Sequence, residues 1–209
     1  MMDVAEKIQL TDAQMDILEE GGVVTLPASW EEFEEFLAET DYRVEYSDGR
    51  IIIMGLATFI HELLVAQLIY LLKGFYLGQP FYVLGSNAGI RKDGRRTHHN
   101  GDVLVIRGKP AYQGKSRSII TNPHLIVEVL SKSTSDYDLG EKRRKYEKME
   151  TLQEIVFVDP FEQEVLVCRR TEQANVWLET TYSQPDDTVL MDGNGVPLNT
   201  IFANLPDEA

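Results

Sequence analysis

The 209-residue sequence predicts an α/β protein in which a sheet of apolar strands is covered on both faces by helices. Two observations predict this. The segments DVLVIRG (102–108), HLIVEVLS (124–131) and EIVFVDP (154–160) are nearly continuous apolar runs, the pattern of strands buried on both sides rather than on one. Two stretches of helical periodicity, 58–77 and 138–149, are interleaved with them. The central order is helix, strand, strand, strand, helix, strand, preceded by a further helix and a β-hairpin.

Each element has its own signal. Residues 11–20 (TDAQMDILEE) form a short helix stopped by Gly21-Gly22. A second helix begins at the capping-box pair Ser29 and Glu32, with Trp30, Phe33, Phe36 and Leu37 on one stripe. Asp48-Gly49 lies between two β-rich runs in YRVEYSDGRIIIMG and marks a hairpin with a type I′ turn. Residues 58–77 are apolar around most of the helix, which suits packing on a sheet. FYVLGSNAGIRK reads as one strand running into the loop DGRRTHHNG, and 110–122 reads as a polar loop. Asp138 and Glu141 have the spacing of a second capping box at the start of a basic helix over 138–149. EVLVCRR and VWLETTY follow as strands, then the turn signal Asp192-Gly193-Asn194-Gly195 and a short LNTIFANL segment. Without repeats or linkers, one domain over 1–209 is expected, with 1–28 as an N-terminal extension and a core at about 58–160.

Bulk properties narrow the class. No apolar run reaches the roughly 18 residues of a membrane-spanning helix, the longest candidate, Leu63 to Leu72, being interrupted by Gln67. The first ten residues lack the apolar stretch of a secretory signal, and the single Cys168 excludes an internal disulfide; a cytoplasmic protein is expected. The net charge of −14 argues against a nucleic-acid partner, but the charge is uneven. Residues 1–50 hold 14 acids against 3 bases, a net of −11, whereas 91–148 hold 14 bases against 7 acids, a net of +7. The basic middle is either solvated surface or a face for a phosphate-rich ligand.

The most informative residue is Glu128, a carboxylate inside Leu125-Ile126-Val127-Glu128-Val129-Leu130. Burying it is costly unless it is paired, hydrogen-bonded or metal-bound. Asp102 opens the preceding strand. Adjacent strands lie about 4.8 Å apart, so in a suitable register both carboxylates point at one ion, and such hard oxygen ligands suit Mg²⁺ or Mn²⁺. The helix 138–149 offers Lys142, Arg143, Arg144, Lys145 and Lys148 as a neighbouring cation, and Lys142 shares a face with Tyr146. His98, His99 and His124 lie near these acids in sequence but in no recognised zinc pattern.

The stretch from NGDVLVIRG through HLIVEVLSKSTSDYDLGEKRRKY to EIVFVDP resembles the Uma-type restriction endonucleases, a family abundant in cyanobacteria and part of the PD-(D/E)XK nuclease superfamily. The family pattern is Pro-Asp on one strand, VEVLSPST on the next, a D-x-x-x-K-x-x-x-Y helix and a strand ending in Val-Asp-Pro. It maps onto Asp102, onto Val127 to Ser131, onto Asp138, Lys142 and Tyr146, and onto Val158-Asp159-Pro160. The family hairpin resembles Tyr42 to Ile52, with Glu45 and Gly49, and its helix histidine resembles His61. The chain departs from the pattern at Gly101, Lys132 and Met149-Glu150-Thr151, and Leu130 stands where the superfamily places its own lysine.

The resemblance implies a restriction-endonuclease-like three-layer core and a Mg²⁺- or Mn²⁺-dependent endonuclease acting on DNA. It implies that Asp102, Glu128 and the carbonyl of Val129 hold the metal and that Lys142 is catalytic, with Lys145 as the alternative lysine. Glu45, His61 and Tyr146 are implied as auxiliary groups. Arg91, Lys92, Arg95, Arg96 and Lys115 are expected to meet the DNA backbone, and a homodimer is expected for cutting two strands. The competing expectation, from the charge of −14 and the altered Pro-Asp, is a non-catalytic DNA-binding or protein-interaction module on the same fold.

Overall fold

The computed structural model describes residues 8–92 and 94–206. Its centre is a six-stranded sheet in the order 177–182, 164–170, 154–159, 125–129, 103–107, 81–85. The three apolar runs are β7 (Val103–Arg107), β9 (Leu125–Val129) and β10 (Glu154–Asp159), with β9 and β10 parallel and β7 antiparallel to β9. The sheet continues on one side to β4 (Phe81–Gly85) and on the other to β11 (Glu164–Arg170) and β12 (Trp177–Tyr182).

Alternate residues of each central strand feed opposite layers, as a period of two requires. Val103, Val105, Val127, Val129, Val156 and Val158 pack with α3 (Phe59–Phe75), whose Leu64, Leu68 and Leu72 are fully buried. Leu104, Ile106, Ile126, Ile155 and Phe157 pack on the other face with Tyr146, Met149 and Leu152. The strands are therefore apolar on both faces because both faces are covered. The order α3, β4, β7, β9, α4, β10 is the expected core, where α4 spans residues 135–146.

The N-terminal segment forms a second layer. α1 (Asp12–Glu19) and α2 (Trp30–Glu39) each begin with a complete capping box, at Thr11/Gln14 and Ser29/Glu32. The predicted hairpin is β2 (Arg43–Ser47) and β3 (Arg50–Met54), and its turn residues Asp48 and Gly49 have φ of 47° and 79°, the left-handed values a type I′ turn needs. It is not a two-stranded hairpin, however. β1 (Val23–Pro27) pairs along β3 and makes a sheet of order β1-β3-β2. Part of the predicted extension is thus an integral strand, whose partner lies some 27 residues away and leaves no local trace.

Three other expectations are corrected. The strand over 81–92 breaks after Gly85, and β5 (Gly89–Ile90) joins a small sheet with β6 (His99–Asn100) and β8 (Ile119–Ile120), the last lying inside the predicted polar loop. Gly89 suits this place because a Cβ there would lie 2.4 Å from the His98 ring. The tail holds a hairpin, β13 (Thr188–Met191) and β14 (Asn194–Pro197), turning at Asp192-Gly193, followed by the short α5 (Leu198–Ile201). Asp192 ties that turn down: its Oδ2 accepts from the Tyr76 hydroxyl at 2.9 Å and lies 3.0 Å from His124 Nε2. Finally, α4 starts at Ser135, and Asp138 is not its cap. Asp138–Lys142 is a π-helical turn between α-helical Ser135–Tyr137 and Arg143–Tyr146. Among the described residues no helix is long and apolar enough to cross a membrane.

Candidate active site

The register Val103↔Val127 brings Asp102 beside Glu128 at the same end of the sheet. Asp102 leaves the ladder there: its N–H reaches Val127 O at 3.0 Å and its Oδ2 accepts the Val129 N–H at 2.8 Å. Asp102 and Glu128 are 3% and 2% exposed, and both line a cavity of about 650 Å³ together with Arg43, His61, Val129 and Lys142.

Lys142 is 1% exposed, and its ammonium lies 2.9 Å from Glu128 Oε1, 3.1 Å from Glu45 Oε1 and 3.1 Å from Asp138 Oδ1. It also donates to Asn100 O at 3.2 Å. Asp138 and Lys142, the two ends of the π turn, both face this point. One turn later, Tyr146 donates its hydroxyl to Glu128 Oε1 at 2.6 Å. Glu45 reaches in from β2, fully buried, and accepts the Asn100 N–H at 2.9 Å and the Tyr137 hydroxyl at 3.0 Å, with His99 Nδ1 3.3 Å away. The ammonium therefore joins the N-terminal sheet to the central one.

Around Asp102 the partners are Arg43, whose NH1 lies 2.9 Å from Oδ1, and His61, whose Nε2 lies 3.2 Å from Oδ2. Arg43 also donates to Asn100 O at 2.7 Å. Burial alone would raise the Asp102 carboxyl, but Arg43 and His61 outweigh it and hold it well below the usual carboxylate range. Burial works against the His61 cation, yet the contact with Asp102 raises its pKa. Glu45 is likewise held low, burial being overcome by Lys142 and His99.

Glu128 behaves in the opposite way. Burial pushes it well above its ordinary value, and Lys142 does not offset burial plus the repulsion of Asp102, Asp138 and Glu45. Burial raises Asp138 too. Lys142 loses solvation, but three carboxylates more than compensate and fix it as a cation. Four acids thus surround two permanent cations, the half-buried Arg43 and the buried Lys142, and Glu128 is the acid left short of positive charge.

That imbalance bears on a metal. Among the described residues no three His, Cys, Asp or Glu side chains are grouped as a metal cage, so the histidines near Asp102 make no zinc site. Two carboxylates and a main-chain carbonyl are a partial oxygen set, which fits a hard divalent ion that keeps several waters. The excess negative charge favours such an ion in the same place.

Not every predicted site residue belongs here. Lys145 lies outside the cavity and pairs with Asp48 of the hairpin turn, so it is set aside as the alternative lysine. Arg91 is 5% exposed, pairs with Glu34, donates to His98 Nδ1 and sits over the Trp30 ring at 4.8 Å; a guanidinium so enclosed does not meet a DNA backbone. Lys92 donates to Lys148 O and Arg96 pairs with Glu31, while Arg95 and Lys115 are exposed; none of the five lines the cavity. Arg43, Tyr137 and Asn100 were not foreseen as parts of the site, and Asp138 and His99 were singled out only as a helix cap and pattern position and as a possible zinc ligand. Arg43 had a signal, since it stands two residues from Glu45 on one face of a strand.

A helix, three strands, a helix and a strand, with buried acids at one end of the sheet, define a mixed α/β protein of the restriction-endonuclease-like nuclease fold. The crystal structure of a "putative nuclease belonging to DUF820" from Anabaena variabilis superposes with a TM-score of 0.69 at 18% identity, covering 85% of this chain and 98% of that one. Residues 30–199 match the model of the Uma2 family, described as "Putative restriction endonuclease", and the chain belongs to that family. Two uncharacterized proteins of Synechocystis sp. are each 30% identical to it. The protein sll1609 aligns over 117 residues (56% of this chain, 66% of that one) and slr1290 over 142 residues (68% and 73%).

Proposed function

We propose that this protein is a divalent-metal-dependent endonuclease that hydrolyses phosphodiester bonds in DNA. The observation that carries the reading is the convergence of Asp102, Glu128 and Lys142, from two strands and a helix, on one cavity. Asp102, Glu128 and the Val129 carbonyl would hold Mg²⁺ or Mn²⁺. When bound, the ion polarises the scissile phosphate and lowers the pKa of an attacking water.

The chain's own groups divide the remaining work. Arg43 and the Val129 N–H orient the Asp102 carboxylate. Glu45 and Asp138 hold the Lys142 ammonium beside Glu128, where it offers positive charge to the phosphate as the P–O bond breaks. Tyr146 fixes the Glu128 rotamer. Arg95, Arg96 and Lys115 are the candidates for salt-sensitive contacts with flanking phosphates. A cytoplasmic setting, in keeping with the single buried Cys168, and a homodimer that cuts two strands belong to the same reading.

One observation favours the non-catalytic alternative: the Lys142 ammonium already has three carboxylate partners, as a purely structural network would. Titration of Mg²⁺ and Mn²⁺ by calorimetry, on wild type and Glu128→Gln, with nicking of supercoiled plasmid on the same samples, separates the two. Binding and nicking that vanish together in the variant support the nuclease. A wild type that binds neither ion and leaves the plasmid intact supports the structural module.

A further inference from the structure

The cavity walls differ chemically from its floor. The acids lie at the bottom, almost without exposure, whereas the mouth carries apolar side chains open to solvent. Leu56 is 73% exposed and Phe161 49% exposed, and both line the cavity, as does Leu205. Phe161 follows β10 directly, in a turn that Asp159 holds by accepting the N–H groups of Phe161 and Glu162 at 2.8 and 3.1 Å. The Val-Asp-Pro sequence therefore presents an aromatic ring at the rim. Lys132 lies over that ring with its ammonium 4.9 Å from the centroid.

Positive charge is scarce along the way in. Arg43 and Lys142 are each held by buried carboxylates, His61 is engaged by Asp102, and Glu20 adds a further acid to the lining. A duplex held by its backbone needs several phosphates neutralised by Lys or Arg. A volume of about 650 Å³ also falls within the roughly 300–1,000 Å³ of sites that enclose a small molecule. An aromatic ring with a neighbouring lysine, at the mouth of a narrow acid-floored cavity, suits an unpaired base whose phosphate is drawn inward by the divalent ion that Asp102 and Glu128 would hold.

We propose that this cavity receives one unpaired strand of DNA, a base stacking on Phe161 beside Leu56 and Lys132 while its phosphate reaches the floor. The inference rests on the nuclease reading and names its substrate as single-stranded DNA or the frayed end of a duplex. The rim is chain-specific in one respect, since Lys132 stands where the family pattern has proline.

The test is fluorescence anisotropy of the full-length protein in Ca²⁺, in place of Mg²⁺ or Mn²⁺, with a labelled oligodeoxythymidylate of about 15 nucleotides and a blunt duplex of the same length. The single strand is expected to bind about tenfold tighter or more than the duplex. Phe161→Ala is expected to weaken single-strand binding about fivefold or more, and Phe161→Trp to preserve it, because the effect is one of stacking. Thermal melts verify that both variants fold. Equal or tighter duplex binding, no binding of either oligonucleotide, or an unchanged affinity in Phe161→Ala overturns the inference. Plasmid nicking in Mn²⁺ is followed separately. Nicking without single-strand preference leaves the nuclease and removes this inference, and Phe161-dependent strand binding without cleavage of any DNA does the reverse.

Discussion

Replacing Lys142 by Met keeps the length of the side chain and removes the charge. Three carboxylates, Glu45, Asp138 and Glu128, then lose a cation that stood within 2.9 to 3.1 Å of each. Removing one partner of a buried ion pair costs about 3–5 kcal/mol, because the remaining charge stays desolvated. At about 2–4 °C per kcal/mol for a chain of this size, the melting temperature at pH 8 should fall by roughly 6–20 °C.

The loss should depend on pH in a defined direction. In wild type the Lys142 pKa is raised, so its contribution is complete below the unfolded lysine value and flat between pH 5 and 8. In the variant the Glu128 and Asp138 carboxyls, already raised by burial, rise further. Both folded proteins then bind protons that the unfolded chain releases, but the variant does so from a higher pH, gaining about 1.4 kcal/mol per pH unit for each carboxyl that is protonated in it and still ionised in the wild type. The difference between the proteins should shrink strongly between pH 8 and pH 5. Urea unfolding at both pH values, with and without Mg²⁺, measures it, and added Mg²⁺ should stabilise the variant more than the wild type. A loss below about 1 kcal/mol at pH 8, or one independent of pH, would refute the view that this ammonium neutralises the cluster.

Other perturbations sort the neighbouring residues. Tyr146→Phe removes the 2.6 Å hydrogen bond to Glu128 and should cost about 1–3 kcal/mol in urea unfolding, with reduced metal-dependent nicking. Lys145→Ala breaks a pair with a solvent-exposed Asp48; its unfolding free energy should change by less than about 0.5 kcal/mol and nicking should persist, in contrast to Lys142→Met. The Asp192 carboxyl is lowered, first by the contact with His124 and then by Tyr76, so it stabilises above the unfolded carboxylate value and this is lost as pH falls through its folded value. Wild type should therefore lose more melting temperature than Asp192→Asn between pH 5 and pH 3, a modest difference because the group is partly exposed.

What was legible in the sequence follows the range of the interactions concerned. The six central elements were readable because burial on both faces leaves a local mark, a strand without alternation. Glu128 stood out against that mark, and Asp102 followed from strand adjacency. Lys142 was different. Five cations crowd one helix, and periodicity does not select among them when the helix contains a π turn; only the family pattern did. Arg43, Tyr137 and Asn100 escaped notice because their contacts form only once the N-terminal sheet docks on the central one. Arg91 was misjudged for a related reason: a charge count does not register that Trp30 and Phe33 enclose a guanidinium.

The turn at Asp138–Lys142 also makes the helix a vernier. An α-helix repeats every 3.6 residues, and a π turn takes up one extra residue while the flanking segments keep their phase. Ser135–Tyr137 and Tyr146 can thus hold their packing whether or not the extra residue is present. A one-residue deletion within 139–141 would change the spacing of Asp138 and Lys142, whose ion pair spans the turn, while leaving Lys142 four residues from Tyr146.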